Sequence, residues 1–348
     1  MNVDDFYDLI TFSKIIADPD SGIIDFYAYE GKADIIEKLI TENHLENITI
    51  SQFQNLSERY MPQIKAIKKL RENKINDFIS MSPKNIAQLP LEKKVEILET
   101  IFHKRLTKGE LLNICYNNKE ELKTLLYNIK FPKEFWEKEE KQADRFAALV
   151  ANNKKITDSM KNWDNLNIEE KKATIKETAK IINYAYHTSL EIGFYTSEEF
   201  RKSHNLDENH PVYTAYQQYG KIFFNTDRLE KCDNYTGVSV LFHEFMHKRQ
   251  FEEKFDNPLI NRLFNDNIYS ASCYEEHAID KNSKEFGDMY SLMPAEIHAY
   301  TMQKYVEDNI SDKTGIEKTL ICGVNYAKMV HNKVFAMANI TKARSMEK

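Results

Sequence analysis

Five residues about two-thirds of the way along the chain, His243-Glu244-Phe245-Met246-His247, limit what it can fold into more than any other stretch. In an α-helix, residues four apart lie one above the other, so His243 and His247 project two imidazoles from one face toward a common point. A tetrahedral Zn²⁺ needs this of two of its ligands. Glu244 stands about 100° round the helix, near enough to reach a water at the metal without taking a coordination position, which gives it the part of general base. The His and Glu content of this chain produces such a spacing by chance about 0.03 times per chain. The flanking residues strengthen the reading. Leu241, Phe242, Phe245 and Met246 spread apolar side chains over most of the helix circumference, and such a helix is buried rather than solvated. Histidines buried beside a carboxylate need a partner that stabilises them there.

At 348 residues the chain has room for two domains and a sizeable core. Only 9 Gly and 8 Pro are present, which favours long helices over tight turns. The net charge of −6 gives no electrostatic reason to expect nucleic acid as a partner. No stretch approaches the roughly 18 apolar residues of a membrane span, and the start, Met1-Asn2-Val3-Asp4-Asp5, lacks the features of a secretory signal. The expectation is a cytoplasmic protein, or one exported without a cleaved signal peptide in the manner of an injected effector. Cys115, Cys232, Cys273 and Cys322 are scattered without a Cys-x-x-Cys pair, which points to free thiols.

Residues 1–160 read as helix after helix, a helical domain with a possible part in recognising a substrate or partner. Apolar positions recur at helical spacing in Asp34–Ile40 and at Ile64, Ile67 and Leu70, while Ser82-Pro83 reads as an N-cap followed by proline at the first helical position. Polar residues dominate from Asn152 to Asp164, where a boundary is expected. Residues 161–348 then form a second domain, opened by a capping box at Asn167–Glu170. Its periodicity switches to two in Glu191–Thr196, Val212–Tyr216 and Lys221–Asn225, three short β-prone runs just before the His-Glu helix. The fold class is therefore mainly α with a small β-sheet packed on that helix. Ile222-Phe223-Phe224-Asn225 is the candidate edge strand, able to hold an extended peptide by main-chain hydrogen bonds.

Two histidines leave a site incomplete, and a third protein ligand is needed with one position left for water. Glu252 and Glu253 lie too far along the same helix to turn back. Glu296 is the preferred ligand: Pro294 marks a helix start, and Ala299 at i+3 lets a second helix approach closely. Asp266 and His277 are the alternatives. His298 lies about 200° from Glu296 on a helix, so it faces away if Glu296 faces the metal. The combination of His243-Glu244-x-x-His247 with a glutamate on a later helix resembles the gluzincin group of zinc metallopeptidases. Tyr290-x-x-x-Pro294-x-Glu296-x-x-Ala299 is similar to the second motif of small bacterial gluzincin-like domains, and the resemblance covers residues 162–310. It implies a zincin-like catalytic domain with Glu296 as zinc ligand.

These features together lead to the expectation of a zinc metallopeptidase with one catalytic Zn²⁺, acting on a protein or peptide and needing neither nucleic acid nor membrane. Tyr300, at i+4 from Glu296, and Tyr290 are candidates for stabilising the oxyanion. Two other outcomes stay open: a helical interaction module carrying a non-proteolytic zincin-like domain, and a zinc amidohydrolase acting on a non-peptide amide.

Overall fold

The computed structural model describes residues 1–29, 32–103, 105–106, 108–204, 207–208, 212–218, 220–264 and 292–319. The chain forms two compact units, Met1–Leu89 with Glu96–Leu122, and Pro90–Val95 with Lys123–Lys348. The boundary expected at 152–164 lies inside the second unit, because the helix spanning 133–152 packs against the His-Glu helix's neighbours.

The first unit opens with α1 (Val3–Phe12), started by a capping box in which Asn2 and Asp5 exchange side-chain and backbone hydrogen bonds. Strands β1 (Ser13–Ala17) and β2 (Ile24–Ala28) follow as an antiparallel pair, with Ser13 opposite Ala28 and Ala17 opposite Ile24. This hairpin corrects the expectation of an all-helical region. The run Asp18-Pro19-Asp20-Ser21-Gly22 makes the turn between the two strands: the Asp18 carboxylate accepts from Asp20 N and Ser21 Oγ, and Gly22 takes φ +67°. Next come α2 (Ala33–Glu42) and α3 (Ile50–Ile79), then α4 (Pro83–Gln88) with Ser82 as its cap as the sequence predicts. Helix α5 (Leu91–Ile101) contains residues of both units, α6 (Lys108–Asn117) belongs to the first, and α7 (Lys119–Tyr127) again contains residues of both. Leu9, Phe12, Ile24, Ile36, Leu39 and Ile48 form a core cluster of the first unit, which shows why the hairpin stays: β2 contributes Ile24 to it.

The second unit contains α8 (Lys133–Asn152), α9 (Lys154–Lys161), a 3₁₀ turn (Trp163–Asn165) and α10 (Ile168–Tyr186), whose Asn167/Glu170 capping box is present. Then follow β3 (Glu191–Tyr195), α11 (Ser197–Ser203), β4 (Ala215–Gln218), β5 (Lys221–Asn225), α12 (Thr226–Leu229) and α13 (Thr236–Glu252). Residues 258–264 are helical, and α14 (Pro294–Thr314) is the last described element. Helix α13 packs on α10 and α14, and both of these pack on α8, so four helices surround one core. Phe146 of α8 stacks on Phe242 of α13 with ring centroids 4.8 Å apart. Gly237 permits the close approach at the start of α13, since a Cβ there would meet the Trp163 ring at 3.1 Å and Ile175 at 3.3 Å. No helix among the described residues is long and apolar enough to cross a membrane.

The small sheet has the order β3-β5-β4, with β3 parallel and β4 antiparallel to β5. This overturns the choice of Ile222, Phe223, Phe224 and Asn225 as an edge strand. They form the central strand, and its backbone groups are engaged by a neighbour on each side. Ile222, Phe224 and Asn225 are fully buried, as befits a strand covered on both flanks. The flanking strand β4 lies against α13 instead.

Candidate metal centre

Helix α13 starts from a turn in which the Asp233 carboxylate accepts from Tyr235 N at 2.9 Å and Thr236 Oγ at 3.1 Å. Its far side is tied to the segment after α14: Tyr235 donates its hydroxyl to Ile316 O at 2.8 Å, and Asn234 Nδ2 donates to Glu317 O at 2.9 Å. Helix α14 begins with Pro294 in its first turn and carries Glu296 there, where the exposed N–H groups of a helix start favour a negative charge. The two helices therefore face each other in fixed register. Leu241, Phe242, Phe245 and Met246 are buried, so α13 is covered on most sides as its sequence suggests.

His243, His247 and Glu296 converge, and each offers one donor atom to a common point. His247 Nε2 lies 3.0 Å from His243 Nε2 and 3.1 Å from Glu296 Oε1, and His243 Nε2 lies 3.6 Å from Glu296 Oε2. Ligands bound at about 2.0–2.1 Å in a tetrahedron stand about 3.3–3.4 Å apart, and the three separations bracket that figure. Among the described residues, Glu296 Oε2 and His243 Nδ1 are buried without a hydrogen-bond partner. An unpartnered carboxylate oxygen beside two imidazole nitrogens suits a cation, and the donor set fits one metal ion.

The electrostatics follow from this crowding. Burial disfavours the Glu296 carboxylate, but the nearby His247, at 3.1 Å, and His243, at 3.6 Å, outweigh it and hold the group well below the usual carboxylate range. Burial also draws the His247 imidazole down, yet Glu296, with Glu244 behind it, reverses this and lifts it to about 10. His243 stays below the ordinary imidazole value because burial, helped by the His247 charge, prevails over the attraction of Glu296 3.6 Å away. Glu244 is no part of the converging trio. Burial pushes its carboxyl up to about 8, His247 and the Gln217 backbone N–H of β4 pull it down, and the Glu296 charge adds to the rise.

Of the remaining predicted residues, Tyr300 rests against the site, its ring centroid 4.4 Å from that of His243. Asp266, His277 and Tyr290 lie outside the described residues. His298 is fully buried and turned away from the donor atoms, toward Gln250 and Glu139. The sequence reading missed Glu139, Arg249 and Gln250. Glu139 sits in the charged run Glu137-Lys138-Glu139-Glu140-Lys141, which resembles a solvated face, yet its carboxylate is buried against Arg249 with Nη1–Oε2 at 2.6 Å. The signal was present: Trp136, Glu139, Ala143, Phe146 and Val150 form one buried stripe at helical spacing.

No protein-family model matches the chain, and no match to it arises among curated proteins or solved structures.

Proposed function

We propose that this protein is a zinc-dependent hydrolase that cleaves a peptide bond in a protein or peptide. The observation that carries the reading is the convergence of His243, His247 and Glu296 with Glu244 left over beside them. Three protein donors and one remaining position is the pattern of catalytic rather than structural zinc. Bound there, Zn²⁺ supplies Lewis acidity, which acidifies water toward a pKa of about 7 and polarises a carbonyl.

The residues of this chain do the rest. Glu244, whose carboxyl the charge of a cation in the centre would draw back down from about 8, accepts the proton of the attacking water on its carboxylate and passes it to the departing nitrogen, so the same group serves as base and then as acid. Its neighbour Gln217 belongs to β4, the flanking strand against α13, so a peptide extended along β4 brings its carbonyl toward Glu244. Strand β4 takes the role that the sequence reading gave to β5. Tyr300, packed on His243, is the candidate donor to the oxygen that gains charge in the transition state.

Metal analysis of the purified protein tests the first half of the proposal: about one zinc per chain is expected from a single three-ligand centre. A wild type without bound metal, which also fails to take up zinc, sinks it. Glu244→Gln tests the second half. It should retain zinc and produce no new peptide termini in a lysate where wild type does, and equal cleavage by both proteins rules out Glu244 as the base.

A further inference from the structure

A buried chain of hydrogen bonds runs outward from the back of His247, and a backbone atom fixes its polarity. Gln250 Nε2 lies 2.9 Å from the carbonyl oxygen of Ala295, which can only accept, so the amide nitrogen must face it. The carboxamide oxygen therefore points the other way, to His247 Nδ1 at 2.9 Å, and that nitrogen must carry a proton. Once the ring is neutral, Nε2 is therefore the nitrogen whose lone pair is left for a metal; in the metal-free protein that nitrogen carries a proton toward Glu296 Oε1, 3.1 Å away. The second amide hydrogen of Gln250 goes to His298 Nδ1 at 2.9 Å, so His298 holds its own proton on Nε2 and donates it to Glu139 Oε2 at 3.0 Å. Glu139 is held in turn by Arg249, with Nη1 at 2.6 Å and Nη2 at 3.2 Å, and Arg249 Nε donates to Glu253 at 2.9 Å. Every donor meets an acceptor, and reversing any one link would set two donors or two acceptors face to face. Gln250, His298, Glu139 and Arg249 are all buried.

His243 is treated differently. Gln303 stands beside it, but among the described residues no partner sits in hydrogen-bonding geometry with His243 Nδ1.

We propose that Gln250, His298 and Glu139 are positioning residues that lock His247 in the Nδ1–H tautomer and orientation that bind zinc, making His247 the preorganised ligand of the centre. The inference rests on the zinc reading above. Neutral imidazole can carry its proton on either nitrogen, and a partner on the far nitrogen decides which one is free for a metal. The relay also brings α8 into the centre through Glu139, which lies 159 residues from His298 in sequence.

Two measurements test it. The first is the zinc dissociation constant of wild type and Gln250→Met, obtained by competition with a chromophoric chelator. Methionine keeps the length and volume of glutamine but cannot accept from Nδ1–H, so affinity should fall by about 10–100-fold. A role in packing alone would leave it unchanged, and equal affinity overturns the relay. The second uses imidazole ¹H–¹⁵N spectra of zinc-loaded wild type and requires no variant to fold. A slowly exchanging Nδ1–H on His247 is expected, and binding of the metal through Nδ1 overturns the proposal. A wild type that takes up no zinc overturns the zinc reading and this inference with it. Zinc uptake by wild type with no loss in Gln250→Met overturns the relay only.

Discussion

Replacing Glu139 with Gln isolates the energy of the buried cluster behind the centre. Glutamine has the shape of a protonated glutamic acid, so the variant mimics the native state with that one group neutralised. Burial disfavours the Glu139 carboxylate, but the Arg249 charge and the His298 hydrogen bond prevail and hold it at about 2, against an ordinary 4.5. At 1.36 kcal/mol per unit this corresponds to roughly 3 kcal/mol of stability, which falls at the lower end of the roughly 3–5 kcal/mol lost when one partner of a buried pair is removed. Urea unfolding at pH 7 measures it cleanly, because the two tryptophans of the chain, Trp136 and Trp163, are both buried in the second unit. With a slope near 3 kcal/mol per molar, the midpoint should fall by about 1 M. A depressed carboxylate contributes its stability above the unfolded value and loses it as pH falls toward the folded one. The gap between wild type and variant should therefore be full at pH 7 and close between pH 4.5 and about 2. A shift under about 0.2 M at pH 7, or a gap that persists unchanged down to pH 3, refutes the argument that Glu139 is held ionised by Arg249 and His298.

Other outcomes follow from the same geometry. His243→Ala should abolish zinc retention and Glu296→Ala should weaken it, as read by metal analysis after dialysis; undiminished zinc in Glu296→Ala would pass the third ligand to Asp266 or His277. His247 is raised to about 10 in the metal-free protein, so zinc uptake must expel its proton. The logarithm of zinc affinity should gain at least about one unit per pH unit from pH 7 to near 10, and calorimetry in buffers of different ionisation enthalpy should count the released proton. A raised imidazole contributes stability below about 6.5 and loses it as pH rises through 10, so the metal-free fold should weaken toward alkaline pH through this group. Gly193→Ala would drive a Cβ into the Phe223 ring, which is stacked on Tyr216 at 5.3 Å, and should cost about 1–3 kcal/mol in unfolding experiments.

Local chemistry made much of this legible in advance. The buried character of α13 followed from the apolar residues around His243, the starts of α4 and α10 from Ser82-Pro83 and Asn167/Glu170, and the pairing of Glu296 with the histidines from a proline-led helix start. What escaped was set by partners distant in sequence. Nothing within Lys221–Asn225 tells whether a strand will be flanked on one side or two, because strand order is a property of the sheet. Glu139 gave no sign of its role because its neutralising partner, Arg249, lies 110 residues further on. The β1–β2 hairpin was hidden by reading five-residue runs against a helical background, although the Asp18–Gly22 turn carried the signal.

The path from Glu139 through His298 and Gln250 to His247 joins α8, α14 and α13, and this has a consequence for how the protein is made. A centre assembled from segments 110 and 159 residues apart closes long loops, and non-local contacts of this kind form slowly. During synthesis His243 and His247 emerge well before Glu296, so until α14 has docked the chain holds two imidazoles without their carboxylate. Tight metal capture is then a late event, and the appearance of tightly held zinc in a refolding experiment would time the docking of α14 rather than the formation of α13.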